Sequence, residues 1–168
     1  MTNGILIEFG GLPGTGKSTL AGHLAQDSGA VWLRIDEIEG AMRRNGLTAA
    51  QTGVAAYSVA HDVAASHLRR GLTVIADAVN PVGAARLGWR ELARSVRARH
   101  VVVETSCPDP VRLERIARRE PDALVPLTAG AYEPRTDDRL VVDTTRPLDE
   151  CRAEVTRHAA VVSAPAGA

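Results

Sequence analysis

Short, mainly apolar runs alternate along this chain with longer stretches whose apolar positions recur at helical spacing. Runs of that kind are expected of strands buried on both faces, whereas half-buried strands alternate strictly. The runs predict strands over Ile5–Phe9, Ala30–Ile35, Leu72–Ala76, His100–Thr105 and Leu140–Asp143. Between them, helices are predicted over Lys17–Gln26, Glu37–Arg44, Thr48–Arg70, Pro81–Arg97, Asp109–Arg119 and Leu148–Val162. Punctuation agrees: Gly29, Asn45-Gly46 and Gly71 close helices, Thr48 can cap one, and Pro81 can start one. Residues Glu120 to Thr136 hold three prolines and a glycine and read as a loop. Alternation of β and α without repeat or linker predicts a five-stranded parallel sheet covered on both faces.

Composition limits what such a sheet serves. At 168 residues the chain can bury a full core, so residues 1–162 are expected to form one domain, with 163–168 as a flexible tail. No apolar run approaches the roughly 18 residues of a membrane span, so no membrane partner is expected. The start lacks a basic segment and a cleavage site, and Cys107 and Cys151 read as reduced thiols, so the expected location is cytoplasmic. Lysine plus arginine number 20 and aspartate plus glutamate 20. Zero net charge weakens a polynucleotide partner, because phosphate neutralisation supplies most of such affinity, but it leaves room for a local arginine patch. Lys17 is the only lysine.

That lysine stands inside Gly11-Leu12-Pro13-Gly14-Thr15-Gly16-Lys17-Ser18, which matches G-x-x-x-x-G-K-[ST] between a predicted strand and a predicted helix. Glycines let the backbone curl so that N–H groups point at phosphate oxygens, and the next helix presents its positive N-terminus to the same anion. Lys17 is expected on the β- and γ-phosphates of ATP or a similar nucleotide, and the Ser18 hydroxyl on Mg²⁺. A guanine-reading Asn-Lys-x-Asp loop is excluded, since no second lysine exists.

Transfer of a phosphoryl group to a hydroxyl needs a carboxylate to take the proton and cations to balance the migrating charge. Asp36, at the end of the second strand, suits the first role, with a helix N-cap as the plainer alternative. Asp77 ends the third strand; it could hold Mg²⁺ through water, orient the acceptor, or simply close a strand. Arg112, Arg115, Arg118 and Arg119 share one predicted helix, where they either form a closing lid or a solvated face paired with Glu114 and Glu120.

In order, Gly11–Thr19, then Arg34-Ile35-Asp36-Glu37-Ile38, then Val74–Asn80, then an arginine-rich segment resemble the small P-loop kinases related to polynucleotide 5′-hydroxyl kinase, chloramphenicol phosphotransferase and the zeta toxins. The resemblance implies a kinase-type P-loop NTPase fold, a three-layer α/β sandwich with a helical lid at about residues 112–136. It implies that Asp36 is the general base, that Gly14, Thr15, Gly16, Lys17, Ser18 and Thr19 surround the phosphates, that Arg115 or Arg119 contacts them, and that Thr144 to Pro147 lie near the adenine. Ser18 and Asp77 become the expected Mg²⁺ residues. Polynucleotide kinases carry an arginine three residues after the base, where this chain has Glu39; Arg43 or Arg44 could substitute.

The acceptor is expected across the γ-phosphate from ATP, near Asp36, Tyr57, His61, Asn80, Arg86 or Trp89, each of which also has a packing role open to it. Three activities follow: an ATP-dependent kinase of a small hydroxyl compound, a 5′-hydroxyl polynucleotide kinase acting on nucleic-acid ends, or a nucleotide-binding module without efficient transfer. No protein partner is readable.

Overall fold

The computed structural model describes residues 3–119 and 129–163. Its centre is an all-parallel sheet of β1 (Ile5–Gly10), β2 (Val31–Arg34), β3 (Thr73–Asp77), β4 (Arg99–Ser106) and β5 (Leu140–Asp143), in the spatial order β2-β3-β1-β4-β5. The helices are α1 (Lys17–Ser28), α2 (Ile35–Arg44), α3 (Ala49–Leu68), α4 (Gly83–Ser95), α5 (Asp109–Arg119) and α6 (Leu148–Ser163). None of them, among the described residues, is long and apolar enough to cross a membrane.

Side chains of a strand alternate between faces, and the two halves of the core follow that rule. Ile7, Phe9, Ile75, Val101 and Val103 meet Leu20 and Leu24 of α1 and Val155 of α6 on one side. Leu6, Val74 and Ala76 meet Ala60 and Ala64 of α3 and Trp89 of α4 on the other. The result is the expected three-layer α/β sandwich, with every strand's C-terminal end at one edge.

Element ends differ from the sequence reading in two informative places. β2 stops at Arg34, whose register partner is Asp77, the last residue of β3. With no further partner strand, the chain turns into α2 at once, so Asp36 lies in a first helical turn rather than at a strand tip. Helix α4 starts at Gly83 instead of Pro81. Asn80 holds a left-handed φ of 49°, and the Pro81 carbonyl is taken by the Glu133 amide at 2.8 Å. Thr48 does cap α3, in a capping box with Gln51.

Glu8, read from sequence as part of an apolar run, is 0% exposed in the middle of β1. A buried carboxylate needs partners. Arg135 Nη1 lies 2.9 Å from it and His100 Nε2 at 2.9 Å. The Asn80 amide donates to Glu8 and to the Phe9 carbonyl, and accepts from the Trp89 indole. Arg135 also holds Asp137 at 2.5 Å, and that pairing lowers the Asp137 carboxyl to about 2. This network fastens the segment after residue 128 to the central strand. Of the expected lid, residues 112–119 belong to α5, Ala129–Ala131 form one 3-10 turn, and 120–128 lie outside the described residues, as do 164–168 of the expected tail.

Candidate functional site

Between β1 and α1 the chain curls through Gly11 to Gly16 at the sheet's C-terminal edge. Gly11 has φ 128°, and a Cβ there would stand 2.5 Å from the Thr105 carbonyl oxygen. Gly14 has φ 84°, with α5 so close that a Cβ would meet the Arg112 carbonyl at 2.6 Å. Only glycine fits either place. Thr15 fixes the loop from beneath, donating to the Leu12 carbonyl at 2.7 Å and bonding Thr105 at 2.8 Å. The α1 N-terminus then faces the hollow of the loop with free N–H groups and a partial positive charge.

Lys17 is buried, and its ammonium donates to the Leu12 carbonyl at 3.1 Å. Burial lowers its pKa, against the opposing pull of Asp77 and Asp36. Ser18 lies beside Asp77 and favours its charged form. Burial raises the Asp77 carboxyl, with Ser18, Lys17 and Arg34 offsetting part of that rise. Asp77 Oδ2 is buried without a hydrogen-bond partner among the described residues. Its neighbour Arg34 Nε, 3.7 Å away, is in the same condition. A hydroxyl and a carboxylate with an unused oxygen fit a hard divalent cation, and Mg²⁺ takes few protein ligands when phosphates and waters complete its shell.

Two cavities meet at the loop, sharing Gly16, Thr19 and Arg115. One, of about 460 Å³, carries Lys17, Ser18, Arg34, Asp36, Arg115 and Arg119 around it. The other, of about 410 Å³, runs the opposite way along Thr144, Thr145, Arg146, Leu148 and Cys151. Arg115 stands at the junction. Its guanidinium donates to the Thr144 hydroxyl at 2.9 Å and carbonyl at 2.8 Å, while Thr144 donates to the Thr15 carbonyl at 2.8 Å. The phosphate loop and the loop after β5 are thereby held as one unit.

The site thus gathers Gly14, Gly16, Lys17, Ser18, Thr19, Asp36, Arg115, Arg119 and Thr144, with Asp77 directly behind Ser18. Asp36 is exposed at the mouth of the larger cavity. Other residues singled out from sequence go elsewhere. Arg112 is buried against the phosphate loop, on Asp109 and the Pro13 carbonyl, and Arg118 pairs outward with Glu114. Asn80 is consumed by Glu8, Phe9 and Trp89. Arg86 spends its guanidinium on the carbonyls of Asn80, Pro81, Glu133 and Pro134. The Tyr57 hydroxyl accepts from the backbone N–H of Asn80 at 3.3 Å, and its ring packs in a cluster with His61 and Trp89. None of these seven lines the cavity beside Asp36. Arg34 does, and sequence reasoning assigned it no role. Its place two residues before Asp36 was the available signal.

Solved structures with this architecture are numerous. A putative kinase from Chloroflexus aurantiacus superposes with a TM-score of 0.76 at 22% identity, over 96% of this chain and 98% of that one. The Mycobacterium tuberculosis APS kinase, in complex with AMPPNP and APS, gives 0.72 at 20% identity over 94% and 98%. A gluconokinase from Sinorhizobium meliloti gives 0.69 at 18% identity over 97% and 95%. Identities this low establish a shared fold, that of P-loop kinases, and nothing finer. No curated protein matches the sequence. A family profile described as an AAA domain does match, from residue 6 to residue 131. That span runs from β1 and the phosphate loop past α5, so the chain belongs to this AAA domain family.

Proposed function

We propose that this protein is an ATP-dependent phosphotransferase that moves the γ-phosphate to a hydroxyl of a small molecule. The observation that carries the reading is the pair of cavities meeting at the phosphate loop, one ending on Thr144 to Cys151 and the other on Asp36. A nucleotide base fits the first, its triphosphate lies along Gly14 to Thr19, and the second leaves room for an acceptor in front of the γ-phosphate.

In that arrangement the Asp36 carboxylate takes the acceptor's hydroxyl proton. The new oxygen–phosphorus bond forms as the bond between Pγ and the bridging β-oxygen breaks, and ADP leaves. Lys17, Arg119 and the α1 N-terminus stabilise charge on the transferring group, in a site that is partly closed to water. Ser18 and Asp77 would hold Mg²⁺, which would supply further charge neutralisation on the phosphate oxygens. Arg115 positions rather than reacts, because its hydrogen bonds go to Thr144. Acceptor contacts are assigned to Asp36 and Arg34, in place of Asn80 and Arg86, whose polar atoms are already satisfied.

Supporting the small acceptor, Glu39 stands one turn beyond Asp36, paired with Arg43 at 3.7 Å. A carboxylate there repels a polynucleotide end. The names of the fold relatives, an APS kinase and a gluconokinase, agree with small-molecule acceptors. The test is transfer of label from γ-labelled ATP onto a panel of sugars, nucleosides, sugar acids and 5′-hydroxyl oligonucleotides, with and without Mg²⁺. Mg²⁺-dependent labelling of one small-molecule class is expected. Labelling of oligonucleotide ends alone would overturn the small-acceptor reading. No labelling of anything, despite tight ATP binding, would overturn transfer itself.

A further inference from the structure

Opposite the phosphate loop, at the N-terminal edge of the sheet, two basic segments come together. The first is His67 to Gly71, after α3, with Arg69 and Arg70. The second runs from Arg90 and Arg94 on α4 through Arg97 to Arg99 and His100 at the start of β4. The start of β1 joins them: Arg99 N–H donates to the Gly4 carbonyl at 2.9 Å and Ile5 N–H to the Leu72 carbonyl at 3.3 Å. Ile5 is in register with both Thr73 and Arg99, which places those two strand starts about 10 Å apart at the usual strand spacing.

The charge on this edge is not balanced. No aspartate or glutamate occurs between Asp62 and Asp77, nor between Glu91 and Glu104. Arginines elsewhere, such as Arg34, Arg43, Arg118, Arg135, Arg139, Arg146 and Arg152, each pair with a carboxylate. Arg69, Arg70, Arg90, Arg94, Arg97 and Arg99 form no ion pair among the described residues, and Arg99 Nη1 is buried without a hydrogen-bond partner there. Asp137 and Asp138 border the patch beyond Arg90 and Arg94, but Asp137 is already held by Arg135. Glu91 lies within the second segment and Asp138 is exposed beside Arg90 and Arg94, so this edge sets six arginines against two carboxylates, a basic patch on a chain of zero net charge. Cations do favour helix C-termini, by about 0.3–1 kcal/mol each. Two helix ends meet here, which accounts for one or two arginines and leaves the rest without that explanation.

We propose that this arginine edge docks the phosphodiester backbone of a nucleic acid, on the side of the molecule remote from Asp36. Guanidinium forks match phosphate oxygens in pairs. Leu72 is the sole large apolar residue exposed within the described patch, and no aromatic ring accompanies it. A protein partner would call for an apolar or aromatic centre, and a membrane surface for an inserting wedge or lipid anchor. Backbone phosphates need neither. The nucleic acid is a tether here and not the phosphoryl acceptor, so the inference stands apart from the phosphotransfer reading.

The experiment is fluorescence anisotropy with a labelled 20-base-pair DNA duplex and a 20-nucleotide single-stranded RNA, titrated with the full chain at 50 and 200 mM salt. Four neutralised phosphates give a slope of about −3.6 in log K against log salt, hence roughly a hundredfold loss across that range. The variant Arg69→Glu/Arg70→Glu/Arg94→Glu/Arg97→Glu is expected to lose binding at least tenfold while ATP affinity and the melting curve hold. The glutamine version of the same four residues guards against misfolding by charge reversal, and Arg152→Glu on α6 should change nothing. Absence of wild-type binding at 50 mM salt overturns the proposal, as does unchanged binding by both quadruple variants. Sedimentation with phosphatidylserine vesicles in place of nucleic-acid binding would assign the edge to a membrane and overturn it equally.

Discussion

Replacing Glu8 by glutamine keeps the shape of a fully buried side chain and removes the charge that faces Arg135 and His100. Breaking a buried pair from one side costs about 3–5 kcal/mol, because the remaining charge stays desolvated without its counterion. Arg135 keeps Asp137 at 2.5 Å, which draws the expected cost to the low end, about 3 kcal/mol. In a domain of this size each kcal/mol moves the midpoint by about 2–4 °C, so the variant should melt roughly 6–12 °C lower. Adding Arg135→Met removes the stranded cation, and the double variant should be less destabilised than the sum of the singles. Differential scanning calorimetry and urea titration measure both quantities. A Glu8→Gln protein within about 1 kcal/mol of wild type would refute the argument that this ion network holds the segment after residue 128 to the sheet.

Three further outcomes concern the site and its surroundings. Arg115→Ala should weaken nucleotide binding by roughly 10–100-fold, read by calorimetry, because the charged hydrogen bonds tying Thr144 to the phosphate loop are each worth about 1.5–3 kcal/mol. Asp77→Asn should bind free nucleotide yet raise the Mg²⁺ concentration needed for half-maximal transfer at least tenfold; an unchanged Mg²⁺ requirement would remove Asp77 from the metal. Asp137 is held at about 2, so between its ordinary 3.8 and 2 the unfolded chain binds more protons than the folded one. Stability from this group is therefore full above pH 3.8 and is lost as pH falls toward 2, and the gap between wild type and Asp137→Asn in urea titrations should close over that window.

Much of this architecture was readable in the order of residues. Parallel strands buried on both faces leave short, mainly apolar runs, and Gly11 and Gly14 of the phosphate loop combine positive φ with backbone contacts that leave no room for a Cβ. Asp36 was legible for a similar reason, since it follows a strand and faces the loop by topology alone. Less was visible where function rests on long-range pairing. Glu8 sits among apolar neighbours in β1, and its partners Arg135 and His100 lie 127 and 92 residues away. Nothing local distinguishes Arg86, whose guanidinium serves four carbonyls, from an arginine that meets a substrate. Arg34 shows the opposite case. Its sequence neighbours carry the motif, but only the register of β2 on β3 sets it beside Asp77 at the cavity.

The most direct test of the central claim is Asp36→Asn, measured for two quantities on the same preparation: Mg²⁺·ATP affinity and phosphoryl transfer to the acceptor class found in the labelling panel. General-base removal costs about 10²–10⁴-fold in rate. We predict an affinity within about threefold of wild type and a kcat lowered by at least a hundredfold. Transfer at the wild-type rate would contradict the assignment of Asp36 as the base and, with it, the reading of the larger cavity as the place where the phosphate is handed on.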